Sequence, residues 1–245
     1  MIAGLYDIFE HWHRQGTCWL MSDSHFNDQE LYIGTQRIER ADSDKYVKLI
    51  NSKVGKNDTL IHLGDCGDLD AIRKIRGYKI LIAGNHDQGL SNFKRQVWRK
   101  KFDANKYDKK TILAEMQTKY PKCIIRISDK CYDVQHAPFE YYFATADNNL
   151  FQEVYSGPVQ IGEKLILSHE PINCDWAFNI HGHIHDPRHK NDKRHMCICP
   201  DVTGNFEPVN FNQLIKSGFM SKIETQHRKT INTAAKRKEK RGKKK

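Results

Sequence analysis

The sequence predicts an α/β protein, and three observations carry that prediction. Short apolar runs at 17–22, 59–63, 78–83, 164–168 and 176–180 are each too brief for a helix and read as buried strands. Helical spacing appears between them, with Val47, Ile50 and Val54 on one side of one stretch and Leu69, Ile72 and Ile75 marking a shorter one. Every one of the five runs is followed at once by residue types that bind metals well. The alternation suggests βαβ units around a largely buried sheet.

Taken in order, the first element is a helix, because Ile2, Leu5, Phe9 and Trp12 recur at helical spacing and Gly16 offers a stop. The same segment carries Asp7, Glu10, His11 and His13, so it lacks the charged-then-apolar layout of a secretory signal. No apolar run approaches the ~18 residues of a membrane span. With 38% hydrophobic and 29% charged residues the expectation is a soluble, cytoplasmic protein. Its 245 residues suit one domain with appendages. Seven scattered cysteines without a C-x-x-C pair read as reduced thiols, and His195, Cys197 and Cys199 read as ordinary buried residues, not a zinc site.

Residues 90–150 break the rhythm. Between 94 and 130 twelve basic residues face four acidic ones, interleaved with Trp98, Phe102, Tyr107 and Tyr120. This is expected to be an insertion, helical over 111–119 up to Pro121, with a strand over 123–127. A short helix through Phe211, Leu214 and Ile215 closes the domain, 1–220. Residues 221–245 hold eleven Lys or Arg against Glu224 and Glu239, or +9 of the net +10, and are expected to be a disordered polybasic tail.

The polar residues after the five runs are Asp23-Ser-His25, Gly64-Asp65, Gly84-Asn85-His86-Asp87, His169 and Gly182-His183-Ile-His185. In a sheet of buried strands, ligands gather at the carboxyl ends, so these residues converge on one rim. Imidazole, carboxylate and amide oxygen form a mixed N/O set suited to Mn²⁺, Fe, Zn²⁺, Co²⁺ or Ni²⁺. Seven ligands exceed the needs of one tetrahedral ion, whereas two ions sharing a bridging carboxylate use them all. Glycine before Asp65, Asn85 and His183 lets the backbone approach closely. His62 and His181 alternate onto the ligand side of their strands and are read as partners of the ligands or as packing; Arg188 is read as a phosphate contact or a surface residue.

This motif set, over 17–187, resembles that of the calcineurin-like metallophosphoesterase superfamily, and the stretch 162–171 looks most like its small single-domain bacterial and phage members. The resemblance implies a four-layer αββα sandwich with a dinuclear metal site at the strand ends. It implies that Asp23, His25 and His185 hold one metal, Asn85, His169 and His183 the other, that Asp65 bridges them and that His86 is the general acid. Asp87 is expected to orient or hold the His86 imidazolium. The expected cofactors are two divalent ions, manganese first, with iron, zinc, nickel, cobalt or magnesium as alternatives. The expected activity is hydrolysis of a phosphodiester by metal-activated water, with DNA or RNA engaged through the basic insertion and tail. A phosphomonoesterase or protein phosphatase, a catalytically silent metal-binding scaffold and a nucleic-acid-binding module are the alternatives.

Overall fold

The computed structural model describes residues 16–28, 42–135 and 140–242; the helix expected over 2–12 lies outside the described residues. The first half of the body is β1 (Cys18–Met21), α1 (Ser43–Lys53), β2 (Thr59–His62), α2 (Leu69–Lys74) and β3 (Tyr78–Ile82). A 3-10 turn, Leu90–Phe93, leads to β4 (Val97–Asp103), α3 (Lys109–Lys119), β5 (Ile124–Ile127), β6 (Cys131–Tyr132) and β7 (Glu140–Asp147). The chain returns through β8 (Glu153–Tyr155), β9 (Val159–Ile161), β10 (Leu165–Leu167), β11 (Phe178–His181) and β12 (His195–Cys197). It ends in α4 (Pro200–Thr203), β13 (Val209–Asn210), α5 (Phe211–Lys216) and α6 (Gln226–Gly242).

The architecture is mixed α/β, with the body built on two sheets where the alternation suggested one. One sheet runs β13-β1-β2-β3-β8 and the other β12-β11-β10-β9. β1, β2, β3 and β8 are mutually parallel, as are β10, β11 and β12, while β13 and β9 are antiparallel edges. The two sheets share one core: Leu20, Ile61, Ile80 and Ile82 from the first lie in a single apolar cluster with Leu165, Leu167, Phe178 and Ile180 from the second. Alternate residues of the first sheet, Met21, Leu60 and Leu81, meet Val47 and Ile50 of α1 and Ala71 and Ile72 of α2 on the opposite face. Strands buried on both faces read as continuous apolar runs, which is why these were legible in the sequence.

The two helices are capped as their sequences dictate, Asp42 accepting from Lys45 N at 3.1 Å and Asp68 from Asp70 N at 2.9 Å. The far end of α2 is tied to the sheet by Lys79, which is fully buried. Its ammonium donates to the carbonyls of Ile72 at 3.1 Å and Ile75 at 2.9 Å at the helix end, and to that of Asn149 at 2.5 Å in the loop after β7.

The 90–150 segment forms a third, antiparallel sheet, β4-β7-β5 with β6 also on β7, and α3 covers one face of it. Phe102, Ile112, Met116, Ala144 and Ala146 give this unit a core of its own, so the basic insertion is a folded element. The polybasic tail departs from its expected disorder: α6 is a helix. Its sequence explains this, since 226–241 holds no Gly or Pro and is rich in Ala, Lys and Arg, and Thr225 Oγ1 caps it by accepting from Arg228 N at 3.2 Å. Ile223 anchors its base in the main core at 7% exposure. Among the described residues, no helix is long and apolar enough to cross a membrane.

Candidate metal centre

Parallel strands place the chain segments that follow β1, β2, β3, β10 and β11 at one rim, and the seven residues singled out by sequence meet there. Four of the seven, Asp23 (φ 49°), His25 (φ 39°), Asp65 (φ 57°) and His183 (φ 65°), adopt left-handed backbone conformations that non-glycine residues rarely occupy. Such conformations cost of order 1 to 3 kcal/mol each and persist where surrounding contacts enforce them. Those contacts are visible here. Asp23 N donates to Gly64 O at 2.9 Å, His25 N to Asp65 O at 3.0 Å, and His183 N to the Asp23 carboxylate at 2.9 Å.

Two of the glycines explain how tightly these loops pack. A Cβ at Gly84 would lie 2.2 Å from Asp65 Oδ1, and one at Gly182 would lie 2.1 Å from Asp23 Oδ2. No side chain fits at either place without displacing a ligand carboxylate.

The donor atoms fall into groups that can hold a metal ion. Asp23, His25 and His185 form one, and Asp23, Asp65 and His169 another, each with its ligand atoms within 4.8 Å of one another. Asp65 Oδ2 stands between the histidines of the two groups, 3.5 Å from His25 Nε2 and 3.3 Å from His169 Nε2. Around His169 Nε2 also gather Asn85 Oδ1 at 2.9 Å and His183 Nδ1 at 3.1 Å. His169 Nδ1 lies 2.8 Å from Leu63 O and donates its proton there, so in the neutral ring Nε2 is a bare lone pair. Lone pairs of nitrogen, amide oxygen and carboxylate thus converge on one point and repel unless a cation or proton lies among them. The donor set fits a divalent metal.

Partners behind the ligands fix their orientation. His25 Nδ1 lies 3.3 Å from Asp28 Oδ2, and His185 Nδ1 2.5 Å from Asp201 Oδ2, which turns the Nε2 of both rings towards the carboxylates of the site. His185 Nε2 is 3.4 Å from Asp23 Oδ1. These are the carboxylate–histidine arrangements that hold metal-ligating imidazoles in one tautomer. Electrostatics follow. Burial acts to lower the His185 imidazole, but its hydrogen bonds to Asp201 and Asp23 outweigh it and push the ring up to about 9. Burial also opposes ionisation of Asp65, yet the His169 ring, when Nε2 too carries a proton, and the backbone N–H of His86 hydrogen-bond its carboxylate and hold it down at about 2. In His25 burial dominates and lowers the imidazole despite Asp65 and Asp23.

His86 lies exposed at the edge of the cluster, its ring 5.4 Å from that of His25 and its N–H donating to Asp65 Oδ1 at 2.9 Å. Asp87 departs from its expected role. Its Oδ2 accepts from Asp65 N at 2.8 Å and Gly84 N at 2.9 Å, and its Oδ1 from Cys66 N at 3.0 Å. With both oxygens committed to backbone donors, it pins two of the loops together and does not hold the His86 ring. His62 also serves the loops: its Nδ1 accepts from Gly64 N at 3.2 Å and its Nε2 lies 2.9 Å from Ser24 Oγ, which donates to Cys66 O at 2.8 Å. His181, the last residue of β11, is buried, its Nδ1 donating to Gly182 O at 2.8 Å. Arg188 is a surface residue, 88% exposed and paired with Asp186 at 3.0 Å.

Asp28 and Asp201 escaped the sequence reading. Asp201 follows β12, a strand parallel to β11 whose His-Met-Cys is too short and polar to register as an apolar run. Cys199, beside it, has its Sγ 3.5 Å from His185 Nδ1 and forms with His185 and Asp201 a third group whose ligand atoms could hold a metal ion, although burial pushes the thiol up. His195 is held by Asp192 at 3.0 Å and by Ile172 O at 3.1 Å, in keeping with a structural residue. A cleft of about 320 Å³ adjoins the cluster, lined by Asn85 and His169 together with Ser156, Pro158, Glu170 and Pro171.

No family model matches the chain. No curated protein matches it either. Among solved structures it is similar to a protein of unknown function from Aquifex aeolicus, at 18% identity and a TM-score of 0.49, over 82% of this chain and 99% of that one.

Proposed function

We propose that this chain is a dinuclear metal-dependent phosphoesterase of the calcineurin-like type, with the four-layer αββα arrangement of that superfamily, acting on a phosphodiester. The observation that carries the reading is the position of Asp65 Oδ2 within 3.5 Å of His25 Nε2 and 3.3 Å of His169 Nε2, one carboxylate oxygen facing two sets of metal ligands. Asp23, His25 and His185 would hold one ion and Asn85, His169 and His183 the other, with Asp65 shared. Two divalent ions bound there, manganese first among the candidates, supply positive charge to the phosphoryl oxygens and acidify water.

The chain's own residues supply the rest. Asp28, Asp201 and the Leu63 carbonyl hold three imidazoles ready, so little reorganisation accompanies binding. His86, exposed beside His25, would give a proton to the leaving alkoxide oxygen. Asp87 and His62 keep the loops that carry Asp65 and Asn85 in register. Among the described residues, the lining of the adjoining cleft includes Glu170 and neither Lys nor Arg, which favours a singly charged diester over a doubly charged monoester. The test is a panel of aryl monoester, aryl diester and nucleic-acid substrates assayed with Mn²⁺ and with excess chelator. Hydrolysis of the diester that chelation abolishes is expected; full activity in chelator, or hydrolysis of the monoester alone, contradicts the proposal.

A further inference from the structure

The insertion presents an open sheet face whose chemistry matches a different part of a substrate from the one the metal centre takes. Side chains alternate across its strands. Phe102, Ala144 and Ala146 point into the core beneath α3, so their neighbours point away from it. In register on that second face, Thr145 of β7 stands between Arg99 of β4 and Arg126 of β5, and Phe143 stands beside Lys101. Arg99 is exposed, the Arg126 side chain is 64% exposed, and Phe143 is 42% exposed although it is a large apolar ring. Tyr141 lies one row further on, its ring 5.0 Å from that of Phe143, with Lys101 Nζ 3.9 Å above it. Row by row, at about 7 Å of strand rise, the face carries Arg99 and Arg126, then Lys101 beside Phe143, then Tyr141 opposite Asp103; Arg126 lies 3.5 Å from Asp147 and Lys101 2.8 Å from Asp133, whose charges a polyanion would have to outweigh.

We infer that this face binds single-stranded nucleic acid. Bases stack on exposed rings irrespective of sequence, and arginine and lysine neutralise the phosphates between them. A duplex hides its base faces and offers phosphates only, so it does not use Phe143. An acidic protein would pair with the cations and likewise leave the ring unused. The unit as a whole favours a polyanion, with twelve Lys or Arg against four acidic residues between 94 and 130. The inference deepens the reading of the protein as a phosphodiesterase by naming the polymer, but the binding face stands apart from the metal ligands and is tested without metal.

The experiment is fluorescence anisotropy of labelled 12-nucleotide single strands and the matching duplex with the full-length protein, in excess chelator, from 50 to 200 mM salt. Four variants are compared. Phe143→Ala is expected to weaken single-strand binding about 5- to 100-fold at unchanged salt slope, the loss of a stacked base, and Phe143→Trp to restore it. Arg99→Ala is expected to lower the salt slope by about 0.7. Lys100→Ala removes the same charge from the opposite face of the same strand, where it meets Glu115 at 2.5 Å, and is expected to leave affinity within about twofold. Equal losses from Arg99→Ala and Lys100→Ala with none from Phe143→Ala would reduce the effect to undirected charge, including that of α6, and overturn the inference. Preference for the duplex, or no binding at 50 mM salt, would overturn it as well. Because chelator is present throughout, failure here leaves the hydrolytic reading standing, and loss of hydrolysis leaves this one standing.

Discussion

Asp87 Oδ2 accepts the backbone N–H of Asp65 at 2.8 Å, so the carboxylate next to the proposed general acid anchors the proposed bridging ligand instead. Its oxygens also take Gly84 N, which is half-buried, and Cys66 N, which is buried. Asp87→Ala leaves three donors unsatisfied and is expected to cost about 3 to 5 kcal/mol of stability together with metal affinity. Thermal denaturation of metal-free protein reads the first and titration with Mn²⁺ the second. A variant of normal stability with only a shifted pH–rate profile would return Asp87 to the histidine.

His86 is exposed and sits outside both ligand groups, so its loss should spare the metals. His86→Ala is expected to keep wild-type metal content while losing about 10² to 10⁴ in rate on an alkyl leaving group. On an aryl leaving group that needs no proton the loss should be much smaller. Equal losses on both would remove His86 from the general-acid role.

Lys79 provides a pH-dependent check on the fold itself. Burial pushes its ammonium down to about 7, with Asp147 pulling the other way. The unfolded chain therefore binds this proton more tightly than the folded one between about pH 7 and 10.5, and stability from this group rises with pH across that window. Relative to Lys79→Met, the wild type should gain up to about 1.4 kcal/mol per pH unit there. Urea denaturation at pH 7, 8 and 9 measures the difference, and a difference that stays constant contradicts the assignment.

The base of α6 separates two truncations. Deleting 221–245 removes Ile223, which is buried in the main core, and should cost about 1.5 to 3 kcal/mol. Deleting 227–245 leaves Ile223 and Thr225 in place and should leave melting and small-diester turnover unchanged. Equal melting temperatures for the two truncations would contradict the anchoring role of Ile223.

What was legible in the sequence followed from burial on two faces. The strands whose residues are apolar throughout, such as Tyr78–Ile82 and Leu165–Leu167, announced themselves, and the polar residues at their ends marked the site. β12 and β13 were not legible, because edge strands buried on one side carry His195, Asn210 and other polar residues. β7 was hidden within a basic segment although its Tyr-Tyr-Phe-Ala-Thr-Ala alternates between a packed and an open face. The roles of Asp87 and Asp201 depend on which atoms their oxygens meet across the fold, over 21 or 22 residues of chain for Asp87 and 16 for Asp201, and no local pattern encodes that.

The bridging role proposed for Asp65 is tested most directly by counting bound Mn²⁺ in equilibrium dialysis. The wild-type chain is expected to bind two ions, and Asp65→Ala fewer than one, since removing the shared oxygen uncouples both ligand groups. Wild-type binding of a single ion, or two ions retained by Asp65→Ala, would contradict the dinuclear site.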